Sequence, residues 1–177
     1  FQYKADAEKY YAMLKERMRK FNLELEESKS RLIEFGRFAE GNCKRRGGRK
    51  PETFDYLGFT FYCGKGSRSG KFCVKLKTSR KKYMQKLTAM KVWLYANNDL
   101  PVKELIERLN KKLIGHYRYY GVSFNGKKLS SFLHYTQRYL CKALNRRSQK
   151  KSYTWDGFAD MLKVYPLAKP KIYVRLF

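Results

Sequence analysis

Residues 101–147 read PVKELIERLNKKLIGHYRYYGVSFNGKKLSSFLHYTQRYLCKALNRR. Leu105, Leu109, Leu113, Tyr117 and Tyr120 recur at three- and four-residue steps, the period of a helix with one buried face. Pro101 stands in its first turn and Gly121 can end it. A following helix, from about Lys128 to Arg147, buries Leu129, Phe132, Leu133, Thr136, Leu140 and Leu144. Its other face carries Arg138, Lys142 and Arg146 in a row at four-residue spacing, which suits a backbone of phosphates.

The two neighbouring segments extend the same pattern. Upstream, Tyr83, Leu87, Met90 and Leu94 line a helix that Thr78 or Ser79 can cap and that ends at Asn97-Asn98-Asp99. Downstream, Thr154 caps a short helix from Trp155 to Val164, and Pro166 to Pro170 leads an extended tail to Phe177. Trp93 and Trp155 read as core anchors, and Tyr117 and Tyr120 as core rather than stacking platforms.

Charge says what these helices face. Between Glu107 and Asp156 stand twelve Lys/Arg and no carboxylate, interleaved with Tyr117, Tyr119, Tyr120, Phe124, Tyr135 and Tyr139. Solvated helices mix both signs, so this composition points to a nucleic acid. The candidate contacts are Lys111, Lys112, Arg118, Lys127, Lys128, Arg138, Lys142, Arg146, Arg147, Lys150 and Lys151. If roughly six of them meet phosphate, log K falls against log salt with a slope of about −4 to −5. The whole chain of 177 residues has 41 Lys+Arg against 15 Asp+Glu, a net charge of +26. With 43% hydrophobic and 16% aromatic residues it is no disordered tail. Residues 1–56 hold 14 cations and 10 acids, residues 57–177 hold 27 and 5, so the polyanion belongs with the second part.

The N-terminal part reads as mixed structure. Ala7, Tyr10, Tyr11, Leu14, Met18 and Phe21 form the apolar face of a helix that Asp6 is placed to cap. Leu23–Glu26 and Leu32–Phe35 alternate apolar and acidic residues, the period of two short strands. The stretch GNCKRRGGRKP, residues 41–51, reads as a loop open to phosphate. Phe54–Cys63 and Lys71–Lys77, joined by GKGSRSG, read as a β-hairpin. Gly58 within FDYLGFTF marks a bulge or a close approach of another backbone, unless the run is a strained core strand.

Several classes of function are disfavoured. Cys43, Cys63, Cys73 and Cys141 form no Cys-x-x-Cys pair, and with two histidines they read as reduced thiols with no zinc. No metal site is expected. No apolar run of about 18 residues and no signal peptide is present, so a soluble, intracellular, cytoplasmic protein is expected, with no membrane partner. Nucleotidyl transfer needs converging metal-binding acids, yet Glu8, Glu16, Glu24 and Glu26 sit at solvent-facing positions. His116 and His134 have no carboxylate nearby in sequence and read as RNA contacts or packing groups. No catalytic residue is assigned. The start on Phe1, running at once into an amphipathic helix, reads as a cut through a longer polypeptide.

In order, FNLELEESKSRLIEFG (21–36), the basic loop, FDYLGFTF (54–61), the hairpin, LIGHYRYYGVSFN (113–125) and RYLCKALNRRSQKKSYTWDGF (138–158) resemble the C-terminal half of bacterial group II intron reverse transcriptases, of the compact type without an endonuclease domain. The resemblance implies an α+β fold. Residues 1–77 would be the last palm elements, a helix with short antiparallel strands and a β-hairpin. Residues 78–177 would be an α-helical thumb bundle, the maturase domain X, with the C-terminal tail. It further implies that Leu57, Gly58 and Phe59 form a primer-grip-like turn and that Lys29 matches a palm lysine. The family's Tyr-Ala-Asp-Asp turn, earlier palm aspartate and fingers are absent here. The segment is therefore expected to bind group II intron RNA and a template–primer duplex, to adjoin the fingers and palm of its polypeptide, and to make no DNA alone. It is expected to bind no cofactor, Mg2+ being required by the parent polymerase. Alternative readings are a non-enzymatic splicing cofactor derived from a reverse transcriptase, or a bacterial reverse transcriptase outside introns.

Overall fold

The computed structural model describes residues 1–66, 69–147 and 153–176. It is an α+β chain whose described residues form six helices and one three-stranded antiparallel sheet. Two compact units divide at Thr53, and the sheet lies in the second unit with the later helices.

Unit 1, residues 1–53, holds α1 (Lys4–Arg19) and α2 (Ala39–Arg45). The N-cap of α1 is Tyr3, with no side-chain bond, so Asp6 is not the cap; it sits in the first turn, where a carboxylate still faces the positive helix end. The helix buries no residue, and Tyr10 and Phe21 are exposed. Leu23–Glu26 and Leu32–Phe35 are not strands. Alternation creates two faces but no hydrogen-bond partner, and the bonds here are local turns, Lys29 N–H to Glu26 O at 3.1 Å and Ser30 N–H to Glu27 O at 3.3 Å. The expected loop at 41–51 also gives way in its first half to α2. Gly47, at φ +76°, ends that helix: Gly47 N–H reaches Lys44 O and Gly48 N–H reaches Cys43 O, both at 2.9 Å. Two of the glycines that suggested a loop thus close the helix end just after its C-cap, Arg46. Glu34 accepts from Asn42 at 2.5 Å and pairs with Arg46, and both contacts lower its pKa, Asn42 the more.

Unit 2, residues 54–177, begins with β1 (Phe54–Tyr56), β2 (Phe59–Lys65) and β3 (Phe72–Thr78), in the order β1-β2-β3. The stretch expected as one strand, Phe54–Cys63, is itself a hairpin. Leu57 (φ +48°) and Gly58 (φ +81°) fold it back with Tyr56 opposite Phe59, the two-residue turn whose twist matches the strands. A leucine at positive φ is strained by about 1–2 kcal/mol. Two bonds hold it: Tyr119 O–H donates to Leu57 O at 3.0 Å, and Ser79 N–H to Gly58 O at 2.9 Å.

The sheet leads directly into α3 (Arg80–Ala96), capped by the Ser79 hydroxyl, then α4 (Val102–Tyr120), α5 (Gly126–Asn145) and α6 (Trp155–Val164), capped by Thr154. Helix α5 packs on both α3 and α4. Leu94, Leu105, Leu109, Leu113, Leu129 and Leu140 are wholly buried, and Phe132 and Tyr117 nearly so. Buried Asn125 ties the bundle to the sheet: its Oδ1 accepts Thr78 N–H, and its Nδ2 donates to Thr78 Oγ1 and Tyr120 O, each at 2.8 Å. The tail returns to the bundle through Tyr173 N–H to Gly121 O at 2.7 Å and Ser123 N–H to Val174 O at 3.0 Å. Trp93 packs against the core as expected, but Trp155 does not enter it. It is 61% exposed, because α6 turns Phe158 and Met161 inward instead.

Candidate nucleic-acid interface

Apolar periodicity sets the surface of unit 2. Because α5 buries Leu129, Phe132, Thr136, Leu140 and Leu144, residues at the remaining angles must face out. Arg138, Lys142 and Arg146 are all exposed. Arg146 lies over the Tyr95 ring at 4.4 Å, a cation–π contact at the end of α3. Arg147 donates to Leu100 O at 2.8 Å, satisfying the loop between α3 and α4. On α4, Lys111 and Arg118 are exposed and share a face, being seven residues or about two turns apart. Lys112 stands beside them with its ammonium 4.8 Å from the Trp93 ring centre. Lys127 is exposed at the start of α5, and Lys128 lies over Tyr83 at 4.6 Å. Lys150 and Lys151 lie outside the described residues.

Few acids answer these cations. Among the described residues of unit 2 the ion pairs are Arg108 with Glu104 at 2.5 Å and Lys163 with Asp160 at 2.7 Å. Neither involves a candidate contact, so those side chains keep their full charge for an external partner. Tyr117 and Tyr120 are buried, as expected of core residues.

The structure also shows cations that the window from Glu107 to Asp156 leaves out. Lys82 and Lys86, one turn apart on α3, face Lys112 across a groove of about 720 Å³. Their signal is present in the sequence: Tyr56 to Asn98 contains no Asp or Glu at all. His116 lines the same groove. Burial, with a smaller push from Lys86, lowers its pKa to about 4, so the imidazole is neutral near pH 7. His134 is exposed and shares a groove of about 490 Å³ with Arg138 and Trp155.

Leu57, Gly58 and Phe59 do form a turn. Leu57 is exposed at its tip, while Phe59 is buried against Tyr119 and Tyr120, with ring centres 6.0 and 5.3 Å away. Gly58 packs so that a Cβ would come within 3.3 Å of the Tyr120 hydroxyl. Lys29, in unit 1, is exposed in a turn rather than after a strand. Among the described residues no group of three His, Cys, Asp or Glu is placed to hold a metal ion, and no helix is long and apolar enough to cross a membrane. The acids present do not fit a divalent-ion site, so no metal-dependent step is assigned to these residues.

Comparison with known proteins gives one family. Residues 78–158 match the model of the group II intron, maturase-specific domain. Neither a curated protein nor a solved structure was found to match the chain. The match begins at Thr78, at the junction of β3 with α3, and ends at Phe158 within α6, so it takes in α3, α4, α5 and the first turn of α6. Residues 78–158 of this chain are thus similar to the group II intron maturase-specific domain.

Proposed function

We propose that the chain is the RNA-binding part of a group II intron reverse transcriptase that also assists splicing, holding intron RNA and the template–primer duplex on one basic surface. The observation that carries this reading is the acid-free run on α4 and α5, whose exposed Arg138, Lys142 and Arg146 have no carboxylate partner among the described residues. The maturase-specific domain supports the intron type over a reverse transcriptase used elsewhere. The Leu57-Gly58 turn beside α4 suits a primer grip, since its exposed tip offers backbone and one leucine to a strand end. Lys29 is proposed to match the palm lysine.

DNA synthesis belongs, on this reading, to the parent polypeptide with its fingers, catalytic palm and Mg2+. The chain alone binds RNA and extends no primer; primer extension by the purified chain contradicts this division. Changing Arg138, Lys142 and Arg146 together to Glu tests the surface. RNA affinity falls on the order of a hundredfold or more near ~0.15 M salt while helix content by circular dichroism is unchanged. Unchanged affinity removes the α5 row from the interface.

A further inference from the structure

The groove between α3 and α4 has properties that a flat phosphate-binding surface does not need. Its volume of about 720 Å³ falls within the ~300–1,000 Å³ of sites that enclose a small ligand. Lys82, Lys86 and Lys112 supply its charge, and no carboxylate lines it. Its inner side is aromatic: the His116 ring stacks on Phe132, with centres 3.8 Å apart and planes 11° from parallel. His116 is half-buried, and among the described residues neither ring nitrogen has a hydrogen-bond partner. A neutral imidazole has one donor and one acceptor to offer, the pattern a base edge answers.

Gly115 supplies an independent observation. It lies inside the 19-residue α4, where glycine destabilises a helix relative to alanine. No packing requires it, for an added Cβ would meet nothing within 4 Å. Its effect is to leave the groove wall open beside His116.

We infer that this groove receives one unpaired nucleotide of the bound RNA, its base set beside His116 and Phe132 and its phosphate held among Lys82, Lys86 and Lys112. The inference rests on the RNA-binding reading above and adds to it a subsite for an extruded base. A continuous duplex keeps its bases stacked and cannot fill the groove, whereas a bulge or strand end can.

The test uses the full chain and two RNA hairpins of equal stem length, one fully paired and one with a single-nucleotide bulge. The bulged RNA binds about tenfold tighter, the range of one added base stack. Gly115→Leu fills the groove and removes that preference, leaving affinity for the paired hairpin unchanged; Ala89→Leu on the facing wall does the same should the first variant fail to fold. Gly115→Ala raises the melting temperature. Equal affinity of the unaltered chain for the two RNAs, or a preference that survives in a folded Gly115→Leu protein, overturns the subsite. Failure to bind either RNA overturns the RNA-binding reading itself.

Discussion

The two units of this chain solve opposite problems. Unit 1 mixes cations and acids and neutralises them locally, through Lys15 with Glu27 at 2.6 Å, Lys44 with Glu40 at 2.9 Å and Arg46 with Glu34. Its one long helix buries nothing. Unit 2 has a continuous leucine-rich core and leaves most of its cations without acids. A dense interior is what lets a surface accumulate like charge, because burial offsets the self-repulsion until a polyanion arrives. The buried core and the unanswered positive charge are therefore found in the same unit.

The contrast in burial predicts the largest effect. Phe132→Ala, at a ring 1% exposed, costs about 3–5 kcal/mol of unfolding free energy. Leu14→Ala on α1 costs less than about 1 kcal/mol, its side chain being only half-buried. Denaturant titration of both variants checks this, and equal costs would erase the distinction between the units.

A smaller effect comes from His116 and sharpens the same contrast. Its folded pKa lies near 4, below the ordinary value of 6.5, so the unfolded chain takes up the proton first. The stability tied to the neutral ring is full above about pH 6.5, declines as pH falls towards 4, and is level below that. The loss is on the order of 2–3 kcal/mol. It is read as the difference in pH dependence between the unaltered chain and His116→Gln, which lacks this titration; superimposable profiles would place the imidazole in water.

The smallest effect concerns the buried Tyr117 hydroxyl, which has no hydrogen-bond partner among the described residues, and burial drives its pKa up. Tyr117→Phe removes an unsatisfied polar atom and is neutral or stabilising by up to about 1 kcal/mol in thermal melts. A loss larger than that would show that the hydroxyl is bonded.

How much of this was legible in the sequence follows the same boundary. The helices α3 to α6 were readable because long runs of spaced leucines and aromatics have one folded solution, and Ser79, Thr154 and Gly121 marked their ends. The sheet was half readable. Leucine at positive φ is not an expected turn residue, so Leu57-Gly58 passed for part of a strand; its strain is held by Tyr119, sixty-two residues away, which no local pattern encodes. In unit 1 the alternating residues 23–26 and 32–35 promised strands, but pairing is non-local and no ladder forms there. Trp155 was misplaced for a different reason: α6 has two apolar choices for its inner face, and Phe158 took it. Of the candidate interface, the exposed cations could be read from helical phase, while the groove required α3 and α4 to be seen together.

The central claim is that the cations of unit 2 exist to be neutralised by RNA phosphates. The most direct measurement is the affinity of the full chain for a structured RNA across a series of salt concentrations. A slope of log K against log salt of about −4 to −5 is predicted, shrinking by two to three, an estimate of about one per lost contact, when Arg138, Lys142 and Arg146 are replaced by alanine. A slope near zero, or one untouched by those replacements, would contradict it.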